Sequence, residues 1–256
     1  MSSSASPTAM PVGRRPHRNR SLILVAIAIV VVAGVAAGGY GLWYILIGPG
    51  SPAAVSAAAP VIPAGAEIAA PASFDGTWIV NTSLGTIDAA TASFAGYRVQ
   101  EQLVGVGGHI AVGRTTKLSG SMVLAGAVVE DVGVTADLTA LHSDNDQRDG
   151  QLQRQAIETD TFPTATFRLA MPINLGGLPA DGTKLSVNAT GAFTLHGVTK
   201  TVTIALQAVR QGGIIAVAGT LPIVFSDYSI QKPSSFSLVS VDDHGIMEFH
   251  LLLTHA

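Results

Sequence analysis

The chain has 256 residues, 48% apolar and only 12% charged, with a formal net charge of −3 at pH 7. Its mean hydropathy of +0.43 is high for an ordinary soluble domain, and with no basic excess it lacks the counterion-releasing charge of a nucleic-acid binder. It contains no cysteine, which excludes a disulfide framework, cysteine-ligated zinc, thiol catalysis and a cysteine-borne lipid anchor.

Residues 1–21 are rich in Ser, Pro and Arg without apolar periodicity, the composition of a disordered tail. Leu22 to Ile47 follows as 26 residues without a charge. As a helix at ~1.5 Å per residue it reaches about 39 Å, enough to cross a hydrocarbon core of ~30 Å. Arg14, Arg15, Arg18 and Arg20 precede it, and Tyr40, Trp43 and Tyr44 lie toward its far end. Positive charge on the N-terminal side places the tail in the cytoplasm, and aromatic rings favour the far interface. The expectation is an uncleaved, single-pass signal anchor in the cell membrane with everything C-terminal to it extracytoplasmic. A cleavable signal peptide would have a much shorter apolar region. Residues 48–73 carry Pro49, Pro52, Pro60, Pro63 and Pro71 among alanines, which predicts an extended spacer.

From Phe74 to Ala256 the apolar period changes to two. Val132, Val134, Ala136 and Leu138 alternate with polar residues, as do Leu185, Val187, Ala189, Gly191, Phe193 and Leu195. Val202, Ile204 and Leu206 form a third such run, and Met247, Phe249, Leu251 and Leu253 a fourth. Each is a strand with one apolar and one polar face. Gly176-Gly177, Asp181-Gly182 and Gly212-Gly213 fall between strands, where turns need positive φ. Phe162-Pro163 leads into a strand near Thr164, and only Asp146 to Ile157 reads as a short helix, with Arg148 and Asp149 capping and pinning it. Many strands with one helix predict an all-β barrel or sandwich.

No catalytic or metal constellation emerges, and no cofactor is expected. Gly105-Val106-Gly107-Gly108 lacks the strand–turn–helix context of a phosphate cradle, and no G-x-S-x-G elbow is present. Glu248 and His250 share a polar strand face, and the expectation is that both are solvated. The inward residues expected from the apolar faces are Val187, Ala189, Phe193, Val202, Ile204, Leu206, Met247, Phe249 and Leu251. Trp78, Tyr97, Phe167 and Phe225 are secondary candidates.

Arg148-Asp149-Gly150-Gln151-Leu152 followed by Thr161-Phe162-Pro163-Thr164-Ala165-Thr166-Phe167 resembles a characteristic block of YceI-like domains. Phe193-Thr194-Leu195-His196-Gly197-Val198-Thr199-Lys200 resembles that family's hairpin motif, and Phe225 to Ile230 its late loop. The likeness runs from about Gly76 to Leu253. It departs from the family between Thr82 and Gln102, where the His-Ser pair and a later His are missing, and at Ser226 and Ser229. The resemblance implies a lipocalin-like, eight-stranded antiparallel β-barrel enclosing a long-chain isoprenoid lipid, bound by the inward residues named above. It implies no reaction. The chain then reads as an anchored binding protein of the cell envelope; the rival reading is an envelope interaction module with a filled, ligand-free barrel, its protein partner unknown.

Overall fold

The computed structural model describes Ala54 and residues 60–104, 107–233 and 238–256. The expected tail and anchor, residues 1–21 and Leu22 to Ile47, lie outside the described residues. Among those described, no helix is long and apolar enough to cross a membrane.

Among the described residues, thirteen strands form one antiparallel sheet. In chain order they are β1 (Gly76–Val80), β2 (Phe94–Leu103), β3 (Gly107–Thr115), β4 (Leu118–Ala125), β5 (Val128–Asp137) and β6 (His142–Ser143). After a short helix come β7 (Thr164–Leu169), β8 (Ile173–Asn174), β9 (Lys184–Leu195), β10 (Val198–Gln211), β11 (Ile214–Val224), β12 (Leu238–Val241) and β13 (His244–His255). The path β1-β4-β5-β7-β9-β10-β11-β13 returns to β1 and closes an eight-stranded ring. Closure gives each of those strands a paired neighbour on both sides.

One edge of β13 serves two partners. Its end, Leu253–His255, pairs with β1, while Ile246–His250 pairs with Phe94–Arg98 of β2. β2 then carries β3 and β6 alongside. At this end the helical segment joins Tyr97 of β2: Ala156 and Ile157 cluster with Leu138, Leu141, Tyr97, Ala111, Leu195, Phe225 and Tyr228. A second cluster, Trp78, Met122, Leu124, Val129, Leu251 and Leu253, occupies the opposite end of the barrel.

The predicted helix begins at Asp146, as expected, but only Asp146–Gln151 (α1) is α-helical; Leu152–Ala156 widens into a π turn. Its cap is Asn145, whose side chain accepts from the Gln147 and Arg148 amides, so the assignment of capping to Arg148 and Asp149 is corrected. An Asx side chain at that position accepts the orphan amides directly, and Arg148 and Asp149 are left to hold the helix to the barrel. β7 starts at Thr164, immediately after Pro163.

The β9–β10 hairpin is the longest pairing, in register from Leu195↔Val198 to Lys184↔Val209. Its two-residue turn has His196 at φ 51° and Gly197 at φ 72°, the positive pair that matches strand twist. His196 falls on the polar side of the β9 alternation, yet it is not solvated. It is buried, with Nδ1 at 2.9 Å from the Tyr228 carbonyl and Nε2 at 2.9 Å from Glu158.

The spacer expectation for residues 48–73 is amended in its second half. Ile62 and Ala66 pack on the outside of the wall against Ile214, Ala216 and Leu252. The Ile68 carbonyl accepts from the Gly213 amide at 2.7 Å. Prolines exclude helix and leave an extended strap, whose apolar side chains find the uncovered outer face of β11 and β13.

Candidate functional site

Strand alternation turns one face of every ring strand into a common interior. Between the two core clusters this interior is not filled: a cavity of about 210 Å³ remains. Val187, Ala189 and Phe193 of β9, Ile204 and Leu206 of β10, and Met247, Phe249 and Leu251 of β13 all line it. Val202, expected with them, does not reach the cavity; it packs against the core cluster at the closed end. Of the secondary candidates Phe167 lines the cavity, while Trp78, Tyr97 and Phe225 are core residues.

The remaining wall comes from the neighbouring ring strands. Met122 and Leu124 of β4, Val129, Val132 and Val134 of β5, and Ile215 and Val217 of β11 complete the lining. Leu178 and Thr183, in the loop between β8 and β9, also line the cavity and are exposed, so the cavity meets the surface there. Leu185 and Val187 are inward yet only half-buried, because they face open space rather than side chains. Phe74 stands at the same end, its ring 6.0 Å from that of Trp78 and stacked on it.

Among the described residues, four that line the cavity are not apolar: Thr166, Thr183, Arg210 and Glu248. The Glu248 carboxylate is turned outward, because Met247 and Phe249 take the inward positions on either side. It is 1% exposed and receives Arg98 Nε at 2.7 Å on one oxygen, and Arg114 at 2.9 and 2.7 Å on the other. Two guanidiniums around one buried carboxylate keep the ion compensated where desolvation is costly. Arg114 also lies over the Phe94 ring, 4.3 Å from its centroid.

His250, on the same outward face, is buried as well. Its Nδ1 meets the Ala92 carbonyl at 2.8 Å, and its Nε2 accepts the Val61 amide at 3.1 Å. Burial lowers its pKa. The expectation that Glu248 and His250 are solvated is thus overturned. A polar face on an antiparallel strand is normally wet, but here Phe94, the two arginines and the strap cover it.

The closed end carries a second polar cluster. Arg148 donates to Glu101 at 2.8 Å and pairs with Asp144. Burial opposes its charge, but the two carboxylates outweigh that and raise its pKa. Asp149 accepts from the Ser143 amide at 3.1 and 2.9 Å and from its hydroxyl at 2.6 Å. These bonds pin α1 across the barrel end. Beneath them the Tyr97 hydroxyl is buried without a hydrogen-bond partner, and burial, reinforced by the Asp149 charge, raises its pKa. His142, Asp146 and Asp149 bring ligand-type atoms within 4.8 Å of one another, but Asp149 is already committed to Ser143.

Comparison with known proteins agrees with this architecture. The family model of the YceI-like domain matches residues 86–253. The UPF0312 protein VPA0850 of Vibrio parahaemolyticus is 30% identical over 120 residues, 44% of this chain and 60% of that protein, so the match spans less than two thirds of the relative's length. A solved polyisoprenoid binding domain from Saccharophagus degradans, implicated in plant cell wall breakdown, superposes with a TM-score of 0.54 at 22% identity, covering 70% of this chain and 98% of that one. Burkholderia cenocepacia BcnA gives a TM-score of 0.48 at 24% identity over 62% of this chain and 94% of its own. At 22% identity the likeness to the Saccharophagus domain concerns the fold alone.

Proposed function

This chain belongs to the YceI-like domain family, and on that premise we propose that it is a membrane-anchored, extracytoplasmic binding protein whose barrel holds or carries a polyisoprenoid or similar long-chain lipid. The observation that carries the reading is the cavity of about 210 Å³, walled almost entirely by apolar side chains and reaching the surface at Leu178 and Thr183. An unbranched or isoprenoid tail entering it gains about 25 cal/mol for each Å² of apolar surface withdrawn from water. A water-soluble ligand gains nothing comparable, since the lining offers few hydrogen-bonding groups. The resemblance to a domain described as polyisoprenoid binding adds the class of tail.

No reaction is assigned, because no nucleophile–base pair faces the cavity among the described residues. An anchor over Leu22 to Ile47 would tether the protein to the membrane that supplies its lipid.

Mass spectrometry of an organic extract from the purified full chain tests the proposal. A long-chain isoprenoid at near-equimolar amount is the expected result. A chain that carries none, and takes up none from added isoprenoid, returns the interior to a plain core and leaves the interaction-module reading.

A further inference from the structure

The ring is closed, but its seams are not equally long. β9 pairs with β10 along its whole length, Lys184 to Leu195. On its other side it pairs with β7 only from Gly191 to Thr194, and the Ala170 amide adds one bond to the Thr190 carbonyl at 2.9 Å. Beyond Ala170 the chain leaves β9: Ile173 and Asn174 of β8 pair with Val129 and Val128 of β5. Among the described residues, Lys184 to Ala189 therefore have no ladder partner on that side. Backbone groups left unpaired need water, so the gap is a slot in the wall. Cavity residues stand on both sides of it. Ile173, Leu175 and Leu178 line the cavity from one side, Leu185 and Val187 from the other. Leu178 is 44% exposed, and Met171, on the bend between β7 and β8 and outside the lining, is 60% exposed. Gly176 and Gly177 precede Leu178, and nothing lies within 4 Å of where a Cβ would stand on either, so Leu178 rides on an open tip. Arg168 and Lys184, both exposed, flank the slot.

Resting on the lipid-container reading, we propose that the slot between β8 and β9 is a side portal, and that its lip, Met171 and Leu178, docks on a phospholipid bilayer from which the lipid tail enters. Continuity names the partner: the apolar surface runs from the exposed lip through the slot into the cavity, so a tail leaving a bilayer here stays against carbon throughout. A peptide strand laid along β9 would find backbone partners but would shut the cavity. Depth follows from the backbone. Unpaired amides and carbonyls are excluded from hydrocarbon, so the slot lies at headgroup level. There Arg168 and Lys184 meet phosphates, and only the lip side chains reach the acyl chains.

The chain has no cysteine, so Met171→Cys, Leu178→Cys and Thr77→Cys each provide a single site for a bimane label. Thr77 is exposed on β1, which lies across the ring from β9, whether counted through β4, β5 and β7 or through β13, β11 and β10. Each labelled full chain is reconstituted in phosphatidylcholine vesicles carrying doxyl lipids. Bimane in place of Met171 and of Leu178 should shift to the blue and be quenched, more by a shallow doxyl group than by a deep one. Bimane in place of Thr77 should stay unquenched. Equal quenching at Thr77 and Leu178 would mean that the barrel docks by its end. No quenching at Leu178 would leave the slot to a peptide strand. Either result overturns the proposal.

Loading gives a second measurement. Because Met171 lies outside the cavity lining, Met171→Glu should slow uptake of geranylgeraniol from vesicles several-fold, while the amount bound from detergent solution stays the same. Uptake at the unaltered rate would overturn the portal and leave the container reading intact. If the unaltered chain binds the alcohol from neither source, the container reading itself fails, and the portal with it.

Discussion

Phe193 shows how one side chain serves packing and cavity together. It is 7% exposed, meets Tyr228 edge-on at 5.7 Å between ring centroids, and lines the open interior with its other face. Phe193→Ala therefore enlarges the cavity and should change the lipid recovered in the organic extract. The same substitution should cost about 3–5 kcal/mol in urea unfolding, the range for a buried aromatic. Thr194→Ala, which faces the other way and bonds only to Thr199 at 2.8 Å, should cost no more than about 1 kcal/mol and leave the lipid unchanged. His250 predicts a pH dependence. Burial holds the folded imidazole below its ordinary value of 6.5, so the unfolded chain takes up the proton first as pH falls. Stability should fall as pH drops below about 6.5 and level off once the folded imidazole is also protonated. Unfolding at pH 7.5, 6.0 and 5.0 should show a smaller loss in His250→Asn than in the unaltered chain. An identical slope in both would show that His250 carries none of it. Protonated Nε2 can no longer accept the Val61 amide, so hydrogen exchange at Val61 should quicken over the same range.

At the level of elements, the β9–β10 hairpin depends on its turn more than on strand propensity. A Cβ at Gly197 would stand 2.6 Å from Phe162 Cε1, and φ there is 72°. Gly197→Ala should thus destabilise by roughly 1–3 kcal/mol, combining left-handed strain with displacement of the Phe162 ring. Gly126, in the β4–β5 turn, is the comparison: φ is 56°, but nothing lies within 4 Å of where a Cβ would stand. Gly126→Ala should cost only about 1 kcal/mol. Thermal midpoints of the two variants check the order, and equal shifts would mean the Phe162 contact contributes nothing. The short α1 likewise depends on its attachments. It is held to the sheet by Arg148 and Asp149 rather than by its own length, since six residues are too few for a stable isolated helix.

For the whole molecule, closure and topology separate two ends with different work. β1 closes the ring where the cavity opens, while β2, β3 and α1 build the filled end. Anchoring, proposed for Leu22 to Ile47, is a separate matter. Intact mass of protein purified from membranes should include Leu22 to Ile47, because the segment's length and the arginines before it favour retention. A mature N-terminus near Pro60 would make the domain a secreted one. The strap then sets the practical limit for truncation: a chain beginning after Ala69 removes Ile62 and Ala66 from the Leu252 cluster and should unfold at a lower temperature than one beginning before Pro60.

Period-two alternation by itself carries most of the β-domain. It marks one face of β9, β10 and β13, and eight of the nine residues taken from it line the cavity, since pleat geometry leaves a strand residue only two directions to point. Turn glycines and Pro163 are equally local and equally legible. What alternation does not encode is what covers the second face. Glu248, His250 and His196 read as wet in the sequence, and each is buried by a partner remote along the chain: Arg98 and Arg114, Val61, and Glu158 with Tyr228. Arg210 stands in the inward register of β10, but in sequence a charge there reads as the end of an apolar run. The β9–β10 pairing brings Pro179 and Asp181 to it and the closed ring brings Phe74, so only the tertiary structure shows how that inward charge is held.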